Sequence, residues 1–276
     1  MRAGLAASAV GLWMAGMGVS DAWAAPIELV GHSAVYNMSL ASTNFSGGVL
    51  GASGKLNYKF ADTCDGWTIE YKMSMTFVYN EGSPVESLWE LLTWESKSGK
   101  QYRFHLRNTR DGLVDQDIEG KAEQASKGKA GMISFSQPEP RAISLPKNTL
   151  FPTAHTLKVL EAAQKGERLV VRNLFDGSGE DGPYEVSAIV GRMTPANSNI
   201  SPSAGNPAVD ATLLTSPSWR VLMSFFPVSG RESLPDYEVT ARYYENGVAD
   251  EILQSFGNFA LKGSLEKIER LSKPDC

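Results

Sequence analysis

Three histidines, His32, His105 and His155, are the imidazole groups that could serve as bases or metal ligands in this sequence. The chain contains no H-E-x-x-H, G-x-S-x-G or P-loop motif, so the usual signatures of zinc hydrolases, serine hydrolases and nucleotide-binding proteins are missing. His155 alone lies in a suggestive context, at the start of a predicted helix, where it could be a polar group at the edge of a cavity. The favoured interpretation is a histidine that bonds to backbone or solvent at a helix N-terminus. A hydrolase that uses His155 with an acidic residue such as Asp176 is a further alternative.

The residue types of one segment match the dinucleotide-binding motif. Residues 177–182 read Gly-Ser-Gly-Glu-Asp-Gly and satisfy G-x-G-x-x-G. A dinucleotide site requires a helix directly after this motif, because the helix N-terminus holds the pyrophosphate. Pro183 and another alternating segment follow instead, so the pattern indicates a hairpin turn. We therefore expect no cofactor and no metal.

The two cysteines are Cys64 and the last residue, Cys276. In an oxidising compartment two thiols are expected to pair, although two free thiols or an intermolecular bridge are alternatives. Their wide spacing is unlike the C-x-x-C of a thiol oxidoreductase, so we interpret the pair as a structural staple. Residues 261–271 are rich in Lys and Glu and offer few apolar anchors. A covalent tie would keep this chain end from fraying.

The first 24 residues have the features of a secretory signal peptide. Arg2 supplies a basic start, a short apolar stretch runs from Leu5 to Val19, and Ala22-Trp23-Ala24 fits an A-x-A cleavage site. The stretch is interrupted by Ser and Gly and is shorter than the ~20 apolar residues of a membrane span, which makes a membrane anchor the less favoured alternative. We expect a signal peptide at 1–24 and a single exported domain at 25–276.

The elements that would position any site are strands, because apolar residues recur with period 2 through most of the chain. The clearest alternation contains Trp67, Ile69, Tyr71, Met73, Met75, Phe77 and Tyr79. Shorter alternations cover residues 36–40, 56–60, 102–106, 184–190, 219–225 and 237–243. Turn residues such as Asn246-Gly247 separate them. This pattern predicts an all-β fold of antiparallel strands with one solvated face and argues against a parallel α/β fold.

The aromatic face of the longest predicted strand could form a binding surface. Trp67, Tyr71, Phe77 and Tyr79 could line a lipid groove, although aromatic stripes at strand spacing usually belong to the core. Together with His155 they are the candidate residues that face a ligand or a partner.

Two segments interrupt the strand pattern. From Pro152 to Lys165 the apolar residues fall at three-residue spacing, which predicts a helix covering the sheet, with Thr153 as its cap and Gly166 in the left-handed position after it. Residues 194–217 are rich in Ser, Asn, Pro, Ala and Thr, apart from Ile200, Val209 and Leu213-Leu214. We expect them to form a mobile surface loop between two strands.

The composition excludes several classes of protein. Of the 276 residues, 42% are hydrophobic and 21% charged, and 26 basic against 31 acidic side chains give a formal net charge of -5. A disordered chain and a nucleic-acid binder driven by bulk charge are both excluded. No nucleic-acid partner and no membrane-spanning segment in the exported domain are expected.

Several segments in this order resemble one family. They are Tyr36-Asn37-Met38-Ser39-Leu40, Gly54-Lys55-Leu56-Asn57-Tyr58, Asp62-Thr63-Cys64-Asp65-Gly66-Trp67, Leu145-Pro146, Leu150-Phe151-Pro152-Thr153-Ala154-His155, Phe175-Asp176-Gly177-Ser178, Pro235-Asp236-Tyr237-Glu238, Asn246-Gly247-Val248 and the terminal Cys276. The combination resembles the cell envelope integrity protein EipB family, formerly a domain of unknown function, over essentially the whole exported chain. The Cys-Asp-Gly-Trp element with a C-terminal partner cysteine is its most specific part.

The resemblance implies a periplasmic protein of alphaproteobacteria, with bent antiparallel strands coiled into a β-spiral, an incompletely closed barrel stapled by the cysteine pair. It also implies a role in maintaining the cell envelope without catalytic activity. We therefore expect a non-enzymatic envelope factor that acts through contacts with a periplasmic or envelope protein. The alternative is a carrier or sensor of a lipid or an acyl chain, because the inner face and open edges of a spiral could accept either kind of partner.

Overall fold

The computed structural model describes residues 26–44, 48–125, 129–198, 201–230 and 233–276. The signal peptide predicted at 1–24 lies outside the described residues. The first half of the chain forms β1 (His32–Thr43), β2 (Val49–Asp62), β3 (Gly66–Tyr79), β4 (Val85–Ser96), β5 (Gln101–Arg110), β6 (Leu113–Glu123), β7 (Gly131–Gln137) and β8 (Arg141–Leu145). The second half forms α1 (Pro152–Gln164), β9 (Leu169–Leu174), β10 (Tyr184–Thr194), β11 (Ser218–Pro227), β12 (Tyr237–Tyr244), β13 (Ala249–Ser255) and β14 (Phe259–Arg270).

The fourteen described strands form one antiparallel sheet in the order β8-β7-β6-β5-β4-β3-β2-β1-β14-β13-β12-β11-β10-β9. Each ladder joins two strands that are successive in the chain, except the ladder between β1 and β14, which places the first and last strands together inside the sheet. The two edges, β8 and β9, are consecutive in sequence and are connected through α1. The prediction of an all-β fold with an unclosed, bent antiparallel sheet and one covering helix is confirmed for the described residues.

The sheet curls until its two ends approach each other. Leu150, just after β8, forms a parallel bridge to Leu174 at the end of β9. The loop that follows β9 packs on β5, where the Tyr102 hydroxyl donates to the backbone oxygen of Asp176 over 2.6 Å. These contacts bring the edges together without the continuous ladder that would close a barrel.

Side chains alternate between the two faces of the sheet as the period of 2 predicts. In β5, Tyr102, Phe104 and Leu106 are buried and the residues between them are exposed. Most of the buried apolar side chains among the described residues fall into three clusters along the curled sheet. The interior is therefore not one continuous packed core.

The ends of α1 agree only in part with the prediction. Phe151 occupies the N-cap position without a side-chain cap, so the expectation that Thr153 caps the helix was wrong. Gly166 follows the C-cap residue Lys165 with φ of +76°, which confirms its left-handed role. The four apolar residues at three-residue spacing are Ala154, Leu157, Leu160 and Ala163. Leu160 and Ala163 are buried as predicted, whereas Ala154 and Leu157 are half-buried. His155, Val159 and Ala162 are buried in addition, because helical side chains share a face at spacings of three and four and not at three alone.

We expect Leu160→Ala to lower the free energy of unfolding by about 2–4 kcal/mol, because it deletes a buried side chain from the contact between α1 and the sheet. Leu160 is 1% exposed and belongs to the cluster that includes Val186 and Val221. Leu157→Ala, at a half-buried position of the same helix, is the matched control and should cost less than about 1 kcal/mol. Urea unfolding measures both variants. A Leu160→Ala cost below about 0.5 kcal/mol would contradict the packing.

The segment between β10 and β11 is not the mobile surface loop that its composition suggested. Residues 206–210 run beside β14, with a parallel bridge between Val209 and Ile268, and a short 3-10 helix follows at Ala211–Leu214. The Ser203 hydroxyl and the Asn206 amide donate to the backbone oxygens of Leu265 and Glu266. Val209, Leu213 and Leu214 are buried. Val209, Leu213 and Leu214 therefore anchor the described part of the segment, and its polar side chains satisfy backbone groups of β14. Ile200 lies outside the described residues.

Candidate binding cavity

A cavity of about 550 Å³ lies on the concave face of the sheet, partly open to solvent. Its wall is mostly aromatic and methionine side chains from β3, β4, β11 and β12, including Tyr71, Met73, Phe77, Trp89, Phe225, Tyr237 and Tyr243. A smaller cavity of about 220 Å³ shares Tyr58, Tyr71, Tyr243 and Gln254 with it. The volume lies within the ~300–1,000 Å³ typical of small-molecule sites, and the lining has their apolar character.

A second depression, of about 620 Å³, lies across β4 to β7. It is more open, and charged residues such as Arg103, Glu119 and Lys121 lie along it. The interior cavity is the better candidate because it encloses an occupant more completely.

The structure divides the sequence candidates into two groups. Tyr71, Phe77 and His155 line the interior cavity. Trp67 does not, because its ring stacks on Phe60 with centroids 4.9 Å apart and carries the Lys97 ammonium 3.2 Å above its centroid. Tyr79, at the end of β3, packs beside Phe77 and also lies outside the lining.

Helix α1 forms one wall of the cavity through Pro152, His155 and Thr156. His155 is 3% exposed, and burial together with the nearby positive charge of Arg172 lowers its pKa to about 4. The imidazole is therefore neutral at pH 7. Its Nε2 has no hydrogen-bond partner among the described residues.

Glu95 of β4 caps α1 in place of a local side chain. Its two carboxylate oxygens accept the backbone N–H groups of Thr153 at 2.7 Å and Ala154 at 2.9 Å. Glu95 is 3% exposed, and burial raises its pKa to about 7 against the opposing effect of these hydrogen bonds. The sequence patterns considered above do not single out this residue. The feature that could have identified it is its position on β4, because Glu95 follows Leu91 and Thr93 in the alternation that faces the interior.

Asp176 is the carboxylate on the cavity wall. Its Oδ1 accepts the backbone N–H of Ser178 at 3.0 Å, and its Oδ2 accepts the hydroxyl of Tyr237 at 3.4 Å. His155 is not among the hydrogen-bond partners of Asp176, so the structure does not assemble the acid–base pair considered for a hydrolase. The described residues that line the cavity include no lysine and no arginine.

Cys64 and Cys276 form a disulfide bond. The bond ties the tail after β14 to the turn between β2 and β3, where Asp62 accepts the backbone N–H of Cys64 and pairs with Lys97. The expectation that residues 261–271 are weakly held was wrong. Residues up to Arg270 belong to β14, which pairs with β1 along its length. On its other side β14 pairs with β13 over residues 260–263 and contacts residues 208–210 around Ile268.

No group of three or more His, Cys, Asp or Glu side chains in the described ranges could hold a metal ion. Within the same ranges, no helix has the length and hydropathy needed to cross a membrane.

Comparison with known proteins gives a family. A model of the family described as EipB-like matches residues 23–272. The chain belongs to the EipB-like family. A relative, the cell envelope integrity protein EipB of Brucella abortus (strain 2308), is 24% identical over 272 residues, which are 98% of this chain and 94% of the relative. The EipB-like family is not a known enzyme family.

A solved structure supports the EipB-like fold. The crystal structure of a beta-barrel-like protein of a domain of unknown function from Brucella abortus matches with a TM-score of 0.79 and 22% identity. The match covers 89% of this chain and all of the other. At this identity the likeness bears on the fold alone.

Proposed function

We propose that this protein is a non-enzymatic periplasmic factor that maintains cell envelope integrity by holding one acyl chain of a lipid or lipoprotein in its interior cavity. The envelope role is supported by the name of the Brucella relative. The periplasmic location is supported by the signal-peptide features of residues 1–24. From the sequence, action through protein contacts was the favoured hypothesis and lipid binding the alternative. The proposal made here reverses that order.

The observation that carries this proposal is the unfilled interior. A packed spiral would leave no room for an alkyl chain, whereas a cavity of about 550 Å³ remains between the three core clusters. Its wall is aromatic and rich in methionine, whose unbranched side chains adapt to apolar ligands of different shape. Burying methylene groups against such a wall stabilises a complex by about 0.8 kcal/mol each.

Binding is expected to depend on chain length. In titrations with straight-chain alcohols from octanol to dodecanol, affinity should rise about fourfold for each added methylene until the cavity is full. Uncharged alcohols isolate the contribution of the alkyl chain. Native mass spectrometry after mild extraction from cells should in addition show a retained lipid. No measurable binding across the alcohol series would refute the proposal.

Filling the cavity should abolish this binding. Ser87 lines the cavity on β4, so Ser87→Trp places an indole in the space of the ligand and should lower dodecanol affinity at least about tenfold. Ser74→Trp is the matched control, because Ser74 is exposed on the opposite face of β3. Ser74→Trp should bind as wild type does. Equal binding by both variants would place the ligand elsewhere.

A second candidate function, addition of a partner protein at a sheet edge, is favoured by β9. This edge strand exposes Leu169 (57%), and Ile189 beside it on β10 is 53% exposed. An apolar edge strand is a template for an extended partner segment. Affinity capture should recover one partner with wild type and with the control Leu113→Lys, at another exposed leucine, but not with Leu169→Lys. The same partner on all three would argue against this edge.

A further inference from the structure

The charges and rings around Asp176 distinguish one end of the interior cavity. Asp176 lies there among Tyr184, Phe225, Tyr237 and Phe256, all of which line the cavity. We call these five residues the acidic aromatic end. Because no lysine or arginine belongs to the described lining, an anionic group bound here would face a carboxylate without a counter-charge.

The rings of the acidic aromatic end form two perpendicular walls. Tyr237 stacks on Phe225 with centroids 4.2 Å apart and an interplanar angle of 15°. The ring of Tyr184 stands at 81° to that of Tyr237, with the centroids 5.7 Å apart. The ring of Phe256 is inclined at 28° to that of Tyr237, with the centroids 6.4 Å apart. Aromatic faces carry negative potential and attract cations within about 6 Å of their centroids.

The electrostatic potential at this end is negative. Burial raises the pKa of Tyr184 to about 12, with further contributions from the carboxylates of Asp176, Asp236 and Asp181. Burial and Asp176 also raise the pKa of Tyr237 well above its ordinary value. Phenols are harder to ionise where negative charge already surrounds them, and the same field stabilises a bound cation.

We propose that the acidic aromatic end binds the cationic head of the amphiphile whose acyl chain occupies the rest of the cavity, and that this head is a quaternary ammonium. The proposal rests on the proposed function and adds to it the charge of the ligand. A quaternary ammonium is weakly hydrated, binds aromatic faces and places its charge near Asp176 without needing a hydrogen-bond acceptor. A free fatty acid is not expected to bind with its head at this end, because its carboxylate would face the carboxylate of Asp176.

Three decyl amphiphiles with the same chain test the proposal: decyltrimethylammonium, 1-decanol and decanoate, each titrated calorimetrically below its micelle concentration. Wild type should bind decyltrimethylammonium more tightly than decanol and at least about tenfold more tightly than decanoate. Asp176→Asn should lower decyltrimethylammonium affinity about tenfold, raise decanoate affinity and leave decanol affinity within about twofold. The unchanged decanol affinity shows that the variant is folded.

Two controls separate the site from bulk charge. Glu139→Gln removes one exposed negative charge outside the cavity and should keep the wild-type preference. Tyr184→Phe should retain the preference for the cation, because it keeps the ring, and Tyr184→Leu should reduce it.

The outcomes distinguish the two proposals. Binding of all three amphiphiles with equal affinity, or the same response in Asp176→Asn and Glu139→Gln, would overturn the cationic head and leave the acyl-chain proposal standing. Failure of decanol and both charged probes to bind would overturn both.

Discussion

The difference in free energy of unfolding between Glu95→Gln and wild type is expected to rise by about 3 kcal/mol from pH 4.5 to pH 7, and the difference between His155→Leu and wild type to fall by about 3 kcal/mol from pH 4 to pH 6.5. The two differences have opposite signs because the stability contributed by Glu95 is lost as pH rises and that contributed by His155 is lost as pH falls. Urea unfolding at half-unit steps of pH measures all three profiles.

The direction of each slope follows from burial. The pKa of Glu95 is raised from 4.5 to about 7, so its contribution to stability is complete below pH 4.5 and is lost as pH rises through 7. The pKa of His155 is lowered from 6.5 to about 4, so its contribution is complete above pH 6.5 and is lost as pH falls through 4. The difference between each variant and wild type therefore gives the contribution of the residue that was replaced.

Differences from wild type isolate these two groups. Other buried groups, such as His32 and Asp250, titrate alike in every variant and cancel. Glu139→Gln, at an exposed glutamate, should reproduce the wild-type profile. A difference between Glu95→Gln and wild type that does not change with pH would show that burial does not hold Glu95 neutral, and a constant difference for His155→Leu would show the same for His155.

Cys64→Ser is expected to lower the free energy of unfolding by about 2–5 kcal/mol and the melting temperature by roughly 5–15 °C. The disulfide joins residues 212 positions apart, and for such a loop the chain-entropy model gives about 5 kcal/mol. Cys276→Ser should have the same effect, the double variant no additional one, and reductant should bring wild type to the level of the single variants. Thermal unfolding with and without reductant measures these effects.

The position of the bond allows its mechanism to be tested. Since β14 pairs with β1 up to Arg270 and the backbone N–H of Leu271 donates to the oxygen of Gly31, the bond secures residues 272–276 in the folded protein. If it acted merely by securing that tail, Cys64→Ser would shift the melting temperature by less than about 2 °C and would only expose the tail to proteases. The larger shift that we expect instead reflects restriction of the unfolded chain.

Local patterns in the sequence predicted the strands but not which distant parts of the chain pair with one another. Alternation in β3 and β5 set which side chains point inward, because a strand has a period of 2 wherever it lies in a sheet. The pairing of β1 with β14 and the docking of residues 206–210 on β14 join distant parts of the chain, for which short-range periodicity carries no signal.

The cavity was predictable only as a possibility. The inward positions of Tyr71 and Phe77 followed from strand parity, but the exclusion of Trp67 depends on Phe60 of the neighbouring strand and on Lys97. The role of Glu95 could not be predicted without knowing that α1 begins against β4, which depends on the curvature of the sheet. Whether aromatic side chains pack together or surround a space is decided by the total volume between strands, which no single segment encodes.

The meeting of β1 and β14 determines the order in which the chain can assemble. Most ladders join successive strands, whose short connections close at little entropic cost, so two separate meanders can form as the polypeptide is made. They become one sheet only when residues 259–270 exist to bridge them. Until then β1 presents an open edge flanked by apolar side chains such as Tyr36 and Met38, a surface that invites pairing with other chains. The strand most in need of protection during synthesis is thus one of the best protected in the finished molecule.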